Sequence, residues 1–364
     1  MKTNYHIAKL DWYIIKKFIG TYLFILAIII AIIIIFDISE KIDEMVEKEA
    51  PLKEIVFNYY GNMVPYYINL FSPLLVFISV IFFTSKMAAN SEIVAILAGG
   101  VSFNRMLYPY MISAFFIALL SLVMNLFIIP PANRVRLEFE NKYIKDKPYV
   151  AGNNIHLQLS PGTYVYIQSF NTADNRASNF TLETIEGRSI KSRLSAESAQ
   201  WDSTKQCWTL RNYYIRTSLD NRDKIVSGDQ IDTVISLKVT DLNQRTNIVE
   251  SFNIIQLNKY IKTQKMRGDK RVAIAQIEKH TRFAVPFSAF ILTIMGVSLS
   301  SKKTRGGIGM NLGIGIALSF IYILFLRFSQ MFVHSGIMPP WLALWVPNIV
   351  FGVVAYYLYR IAPK

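Results

Sequence analysis

Long uninterrupted stretches of hydrophobic residues recur along the chain and predict helices that cross a membrane. The first, Phe18–Phe36, has 19 residues and no charge, close to the ~20 residues that a bilayer core requires. An acidic segment follows it instead of a small-residue cleavage site, so we interpret it as a retained span rather than a secretory signal. Five more uncharged stretches are Ile55–Ser85, Met106–Asn133, Phe283–Ser301, Gly306–Leu326 and Trp341–Tyr359. The pattern predicts six transmembrane helices in a 3+3 arrangement.

Between the third and fourth stretches, residues 134–279 have the composition of a soluble domain. Hydrophobic and polar residues alternate there in short segments separated by turn-forming residues, which is typical of antiparallel strands. These segments include Asn154–Leu159, Thr163–Gln168, Gln206–Arg211 and Asp232–Lys238. Ala196–Trp208 is expected to form a hairpin whose tryptophans pack in a core, and residues 254–280 are expected to be helical. We predict an α+β membrane protein in which an antiparallel β jelly-roll-like domain separates membrane regions 1–133 and 280–364.

The charges of the segments between the spans predict which side of the membrane each occupies. The segments on the side of the two termini carry eleven Lys and Arg residues and two acids, whereas residues 37–54 carry seven acids and three lysines. Cytoplasmic segments of membrane proteins are enriched in Lys and Arg. Both termini are therefore expected in the cytoplasm, and the β-domain is expected on the extracytoplasmic side.

Composition argues against several other classes of protein. The formal net charge is +14, but 52% of the residues are hydrophobic and they cluster in the spans, so no nucleic-acid partner is predicted. A single cysteine, Cys207, excludes an internal disulfide. The sequence has no Walker-type phosphate loop, and its four histidines form no metal-binding or catalytic motif. Such sites can assemble from distant residues, but no pattern indicates one. We expect no catalytic residue, no metal and no cofactor, and hence not an enzyme.

One half-polar segment on the cytoplasmic side, TSKMAANSEIVAILAGGVSFNRML (84–107), is too polar to span a bilayer and too apolar for a plain loop. Asn90 or Ser91 can cap a helix whose first turn contains Glu92. Apolar residues then recur on one helical face, and Gly99 and Gly100 can end the helix. The pattern predicts a short helix over about residues 91–98.

Two interpretations of this helix are open from the residues alone. It is either a docking element for another protein or an interfacial helix that rests on the membrane surface. A transporter without a nucleotide site needs another source of energy, and the uncharged spans contain no acids that could couple transport to an ion gradient. A separate ATPase is therefore the favoured source.

Five segments, in order along the chain, match one known pattern: LDWYIIKKF (10–18), Phe36-Asp37 with Lys41, NSEIVAILAGGVS (90–102), HTRFAVP (280–286), and the residues Pro339-Pro340-Trp341 with Trp345-Val-Pro-Asn348. They resemble LDRYILRxF, the end of the first span, SELVxLxAxGxS, HxRxAxP and PPxxAxWxPN of the lipopolysaccharide export permeases, the LptF/LptG (YjgP/YjgQ) family. The resemblance covers nearly the whole chain, including the order of three spans, a β-domain and three spans.

The resemblance implies a permease subunit of an ABC exporter in the bacterial inner membrane. Two such subunits would bind an LptB-type ATPase dimer in the cytoplasm and extract lipopolysaccharide from the membrane. The periplasmic β-domain would pass the lipid to a bridge of LptC/LptA-type proteins that leads to the outer membrane. The sequence does not distinguish an F-like from a G-like subunit.

The resemblance also assigns expected roles to particular residues. In the short helix, Ser91, Glu92, Ile96 and Gly100 are expected to couple the permease to the ATPase, with Glu92 engaging it directly. Lys41 matches a place where the family carries lysines that contact the lipid.

Three further lipid-binding candidates rest on chemistry alone. The anionic head of the lipid favours basic residues near the outer ends of the spans, where we find Arg134, Arg136 and Arg327. Each of them, like Lys41, has the alternative role of a snorkelling anchor at the membrane interface.

Two alternative functions follow from the same features. One is an ABC subunit that transmits force to the outer domain without carrying lipid itself. The other is a receptor or assembly scaffold whose β-domain only binds.

Overall fold

Six helices are long and apolar enough to cross a membrane. Two of them consist of α-helices joined without a break to π-helical segments, Glu54–Tyr60 and Met124–Ile128. The long helices are α1 (Lys9–Glu47), α2 (Gly61–Ala89, after the first π segment), α4 and α5 (Phe103–Val123 and Ile129–Tyr143, on either side of the second), α8 (Val272–Ser300), α9 (Gly307–His334) and α10 (Pro340–Ile361). The shorter helices are α3 (Glu92–Ala98), α6 (Val239–Leu242) and α7 (Ile254–Arg267), with a 3-10 turn at Thr246–Ser251.

The structure, a computed structural model, describes residues 9–144, 150–172, 174–187, 189–203, 205–219, 222–237, 239–242, 246–269, 271–303 and 306–362. The chain divides into two compact units. The membrane unit comprises residues 1–144, 250–254 and 276–364, and the β unit comprises residues 145–249 and 255–275. The functional division at residues 133/134 and 279/280 that the sequence suggests remains a proposal.

The first transmembrane helix is longer than its hydrophobic stretch. The acidic segment 37–54 is expected to form a loop after the first span, but α1 continues to Glu47 and has 39 residues, about 58 Å at 1.5 Å per residue. Residues 37–47 contain no Gly or Pro that would break a helix, and Lys41 pairs with Asp37 one turn earlier. The polar end of α1 therefore remains helical beyond the apolar stretch.

The membrane unit is held together by an apolar core and by side-chain hydrogen bonds between helices. One cluster of buried residues joins α1, α2, α3 and α4, and it includes Phe18, Val80 and Tyr110. At the second π segment, Asn125 exchanges hydrogen bonds of 2.9 and 3.0 Å with Asn69 of α2. Such bonds satisfy polar groups that lipid cannot solvate.

The β unit contains one six-stranded antiparallel sheet. Its strands are β1 (Val150–Ser160), β2 (Thr163–Asn171), β3 (Arg176–Glu186), β4 (Ser189–Asp202), β5 (Cys207–Leu219) and β6 (Arg222–Thr233). The six spans and the inserted antiparallel sheet confirm the predicted α+β class. Each strand pairs with the next along the chain, so the described strands form a meander without the Greek-key crossovers of a strict jelly roll. Short connections keep sequence neighbours adjacent.

The core of the β unit lies on one face of the sheet. Trp208 is fully buried, and its indole N–H donates to the carbonyl of Leu237 at 2.8 Å. Trp201 pairs with Trp208 across the predicted hairpin, and the ring centroids are 5.5 Å apart. Cys207 is buried and free. Both tryptophans therefore pack as the sequence predicts, because alternate residues of a strand face the same side.

Candidate coupling helix and outer basic residues

The predicted short cytoplasmic helix is present as α3, Glu92–Ala98, directly after α2. Ser91 precedes it in the left-handed region with φ of 61°, and its side chain makes no capping hydrogen bond. Ser91 therefore reverses the chain rather than capping α3. Gly100 also has a positive φ, 82°, where glycine avoids the steric cost of a side chain.

The two faces of α3 have different surroundings. Ile93 is buried, and Ile96 and Leu97 pack against the same apolar core. Val94 is 61% exposed, and Ala95 and Ala98 are also exposed. The inward face attaches α3 to the spans, while the outward face is small and apolar. Ile96, a predicted coupling residue, therefore contacts the chain's own core.

The carboxylate of Glu92 has two partners within the chain. The hydroxyl of Tyr13, on α1, donates to Oε2 of Glu92 at 3.1 Å. The side-chain amide of Asn90 donates to Oε1 at 3.2 Å. Glu92 is partly exposed, so the carboxylate is oriented by these bonds and remains accessible to a partner.

A buried ion pair lies close to this helix in the sequence but joins other elements. Arg105, in the first turn of α4, donates two hydrogen bonds to Asp11 of α1, at 2.5 and 2.6 Å. Asp11 is 1% exposed. In the sequence, both charges contribute only to the predicted orientation. The sequence shows one acid and one arginine beside apolar stretches, but no pattern in it predicts that the two side chains form an ion pair.

Lys41, the predicted lipid contact, lies near the C-terminal end of α1 in a polar cluster. Its ammonium donates to Asp37 and to the hydroxyl of Tyr59, the latter at 2.6 Å. Asp37 is 8% exposed, and the side chain of Lys41 is 24% exposed. The lysine is therefore held in place, and an anionic ligand would share it with Asp37.

Arg136, another predicted lipid contact, lies in a buried ion network. Its guanidinium is 3.5 Å from Glu140, 3.7 Å from Glu250 and 4.8 Å from the ring centre of Tyr66. Glu250 belongs to the segment that leads back from the β unit. Arg136 is 8% exposed, so lipid would reach it only if this network opened.

The same network continues onto α8. Arg282, 2% exposed, pairs with Glu278 at 2.8 Å and donates to the carbonyl of Phe252 at 2.8 Å. Burial, together with the charge of Glu278, raises the pKa of Glu250 to about 7, against the opposing effect of Arg136. The network thus contains a carboxyl group that titrates near neutral pH.

The other two basic candidates are exposed. Arg134 pairs with Glu138 in its own helix at 3.3 Å, and both side chains are more than half exposed. Arg327 donates to Gln330 at 3.3 Å, also within its own helix. Surface pairs of this kind are weak, so both arginines can turn toward another anion.

Among the residues that the structure describes, no three His, Cys, Asp or Glu side chains lie close enough together to hold a metal ion. The arrangement offers surfaces for binding. The buried face of α3 fixes it to the spans while its other face is exposed, and Lys41, Arg134 and Arg327 provide exposed or partly exposed basic groups.

Comparison with models of known protein families supports the resemblance. The profile of the family described as "Lipopolysaccharide export system permease LptF/LptG" matches residues 12–361. A comparison with curated proteins found no match. The match covers both halves of the membrane unit and the whole β unit. The chain therefore belongs to the LptF/LptG family of lipopolysaccharide export permeases.

Proposed function

We propose that this chain, a multi-pass inner-membrane permease of the lipopolysaccharide export system, extracts the lipid from the membrane and passes it toward a periplasmic bridge. A separate cytoplasmic ATPase supplies the energy. The family match over residues 12–361 carries the proposal. The chain acts together with a second LptF/LptG-type subunit, an LptB-type ATPase dimer and LptC/LptA-type bridge proteins.

In this proposal α3 is the docking element for the ATPase. Its inward face packs on the core of the spans, and its outward face, with Val94, Ala95 and Ala98, is exposed. Glu92 engages the ATPase directly, while Ser91 and Gly100 set the chain reversals at the two ends and Ile96 anchors the helix. A helix that only rested on the membrane surface would direct an apolar face toward lipid. Here three of the larger apolar residues face the protein, which favours docking.

The physical problem of transport is the exposure of acyl chains. Moving one CH₂ group from lipid to water costs about 0.8 kcal/mol, so a lipid with several chains cannot cross water uncovered. A path along the spans and then along the β-domain keeps this surface covered. We therefore assign the sheet and its core face to reception of the lipid on the periplasmic side, with both termini in the cytoplasm.

Basic residues at the outer ends of the spans contact the anionic head of the lipid in this proposal. Lys41 is the first candidate because it combines the family match with a fixed position. Arg134 and Arg327 are exposed and only weakly paired. Arg136 is a secondary candidate, since its ion network must open first.

The test is purification of the tagged chain from its native membrane in mild detergent, with identification of the bound proteins and lipids. We expect an ABC ATPase, a second permease subunit and lipopolysaccharide. If an ATPase is bound but no lipid can be cross-linked to the spans, the chain transmits force without carrying lipid. If the chain is isolated without an ATPase, the receptor or scaffold function replaces the proposal.

A further inference from the structure

We propose that Asp11, Tyr13 and Arg105 are positioning residues that transmit movement of the ATPase-docking helix α3 to the first span, α1. This inference rests on the proposed function, because it requires an ATPase on α3. It adds a path from the docking site to the outer end of the permease.

The first part of the path is the hydrogen bond between Tyr13 and Glu92. Tyr13 lies on α1, and Glu92 begins α3, 79 residues later. The ring of Tyr13 is held between Phe83 of α2, at 6.4 Å between ring centres, and Lys17, whose ammonium is 5.8 Å from the ring centre. The hydroxyl is therefore presented to Glu92 by a ring of fixed orientation. Movement of the start of α3 acts directly on α1.

The second part is the ion pair between Asp11 and Arg105. Both oxygens of Asp11 accept from the guanidinium, at 2.5 and 2.6 Å, a two-point contact that resists rotation as well as separation. Arg105 lies in the first turn of α4, and the hydroxyl of Ser102 accepts from its backbone N–H at 3.4 Å. The chain leaves α3 and enters α4 through residues 99–102. The two ends of the α3 segment are thus both connected to α1, one by Tyr13 and the other by Asp11.

The third part is α1 itself. It is one continuous helix from Lys9 to Glu47, so it connects the cytoplasmic contacts with Asp37 and Lys41 at its outer end. In the hydrophobic stretch of α1 only 11% of the residues are buried. The corresponding shares of buried residues are 61% for the span that contains α2 and 67% for α8. The middle of α1 packs on the other helices through partly buried side chains such as Ile25, Leu26 and Ile29. The polar contacts of Tyr13 and Asp11 add directional connections to this apolar packing.

The same contacts could serve only to stabilise the fold, and that role predicts a different experimental result. Contacts that only stabilise the fold would, when weakened, lower the amount of folded protein and leave the transport of each folded molecule unchanged. Contacts that transmit movement would, when weakened, leave ATP hydrolysis intact and lower the lipid released per ATP. The ratio of lipid released to ATP hydrolysed therefore separates the two roles.

The decisive variant is Tyr13→Phe, which removes the hydroxyl and retains the ring. The matched control is Tyr356→Phe, since the Tyr356 hydroxyl is bonded only by Arg360 of its own helix among the contacts observed, at 3.0 Å. Each variant is purified with its bound ATPase and placed in vesicles that contain lipopolysaccharide. We expect Tyr13→Phe to lower the lipid released per ATP by about tenfold, the factor for one hydrogen bond to a charged group, and Tyr356→Phe to leave it unchanged.

A second measurement follows the movement of α1 directly. Replacing Cys207 by Ser removes the sole native cysteine, and spin labels are attached at Glu47→Cys, on the outer end of α1, and at Glu138→Cys, on α5. We expect ATP to change the distance between the labels in the otherwise unaltered complex. Tyr13→Phe and Arg105→Lys, which keeps the charge but loses the two-point contact, are expected to reduce that change.

Each outcome of these experiments either supports the inference or overturns it. If both variants retain the ATPase and its hydrolysis but lose lipid release and label movement, the inference holds. If lipid release per ATP is normal in Tyr13→Phe, or if that variant instead loses the ATPase, the inference is overturned while the proposed function stands. If Arg105→Lys does not fold, Tyr13→Phe alone decides. If no ATPase binds the unaltered chain, the proposed function fails and takes this inference with it.

Discussion

Two groups of buried charges in the membrane unit differ in composition and in what they join. Near the start of α1, one acid and one base, Asp11 and Arg105, connect α1 to α4. At the opposite end of the spans, three acids face two arginines in a network of Arg136, Glu140, Glu250, Glu278 and Arg282. In the balanced pair both oxygens of the acid are bonded by the base. The acid-rich network instead contains Glu250, a carboxyl group with a pKa raised to about 7. A balanced pair suits transmission of movement, and an acid-rich network suits a contact that responds to pH.

The largest effect on stability should follow from breaking the ion pair between Asp11 and Arg105. Asp11→Ala leaves Arg105 without its buried partner, a change that typically costs about 3–5 kcal/mol of folding free energy. We expect a clear loss of thermal stability of the purified chain in detergent. Glu138→Ala breaks the exposed pair with Arg134 and should cost less than about 1 kcal/mol. Equal losses for the two variants would contradict the distinction between buried and exposed pairs.

The next largest effect concerns the docking of the ATPase. Glu92→Lys reverses the charge that is proposed to engage the ATPase. Loss of a hydrogen bond between the ATPase and this carboxylate weakens binding by about tenfold or more. The expected result is loss of the ATPase during co-purification, while the permease remains folded in the membrane. Glu47→Lys, at the outer end of the same membrane unit, is the control. Undiminished attachment of the ATPase would remove Glu92 from the docking site.

A smaller effect is expected for the lipid contact at the outer end of α1. Lys41→Asp tests the charge directly but places two acids together, so Lys41→Gln combined with Asp37→Asn is the sharper variant. It removes the cation without leaving a buried carboxylate unpaired. We expect several-fold less cross-linking of lipopolysaccharide to α1. Lys53→Gln, an exposed lysine on the same side, should retain normal cross-linking, and equal values for both would make Lys41 an anchor.

The smallest effect is a change of pH dependence in the outer network. The pKa of Glu250 is raised to about 7, chiefly by burial, from about 4.3 in an unfolded chain. A carboxyl group whose pKa is raised by folding stabilises the folded state below its unfolded pKa, and this contribution is lost as pH rises through the folded value. The groups that face it are Arg136, Glu140, Tyr66, Glu278 and Arg282.

Glu250→Gln should therefore flatten the stability profile. Between about pH 5 and pH 8 the unaltered chain should lose a few degrees of melting temperature relative to Glu250→Gln, because the amide mimics the protonated acid. Thermal unfolding of both proteins across that interval measures the difference. Glu138→Gln, an exposed acid of α5, is the matched control. Parallel profiles for the unaltered chain and Glu250→Gln would show that Glu250 does not titrate in this interval.

Patterns of neighbouring residues determined much of the fold. The uncharged stretches predicted all six spans, because a bilayer requires a certain length of apolar helix. The alternation in residues 154–168 and 206–211 predicted antiparallel strands, because successive side chains of a strand face opposite sides. The short helix before Gly99 could be predicted as well, since a helical face repeats within a few residues. These features depend on local periodicity.

The tertiary structure alone decided which polar groups meet. Asp11 and Arg105 are 94 residues apart, and Arg136 and Glu250 are 114 residues apart. In the sequence, Asp11 indicated only orientation, and Arg136 was expected to contact lipid, whereas packing of the helices buries both in ion pairs. The continuation of α1 to Glu47 likewise depends on contacts at its outer end, where Lys41 meets Tyr59. Periodicity determines the elements because it acts between neighbours, but the partner of a buried charge depends on how distant helices pack.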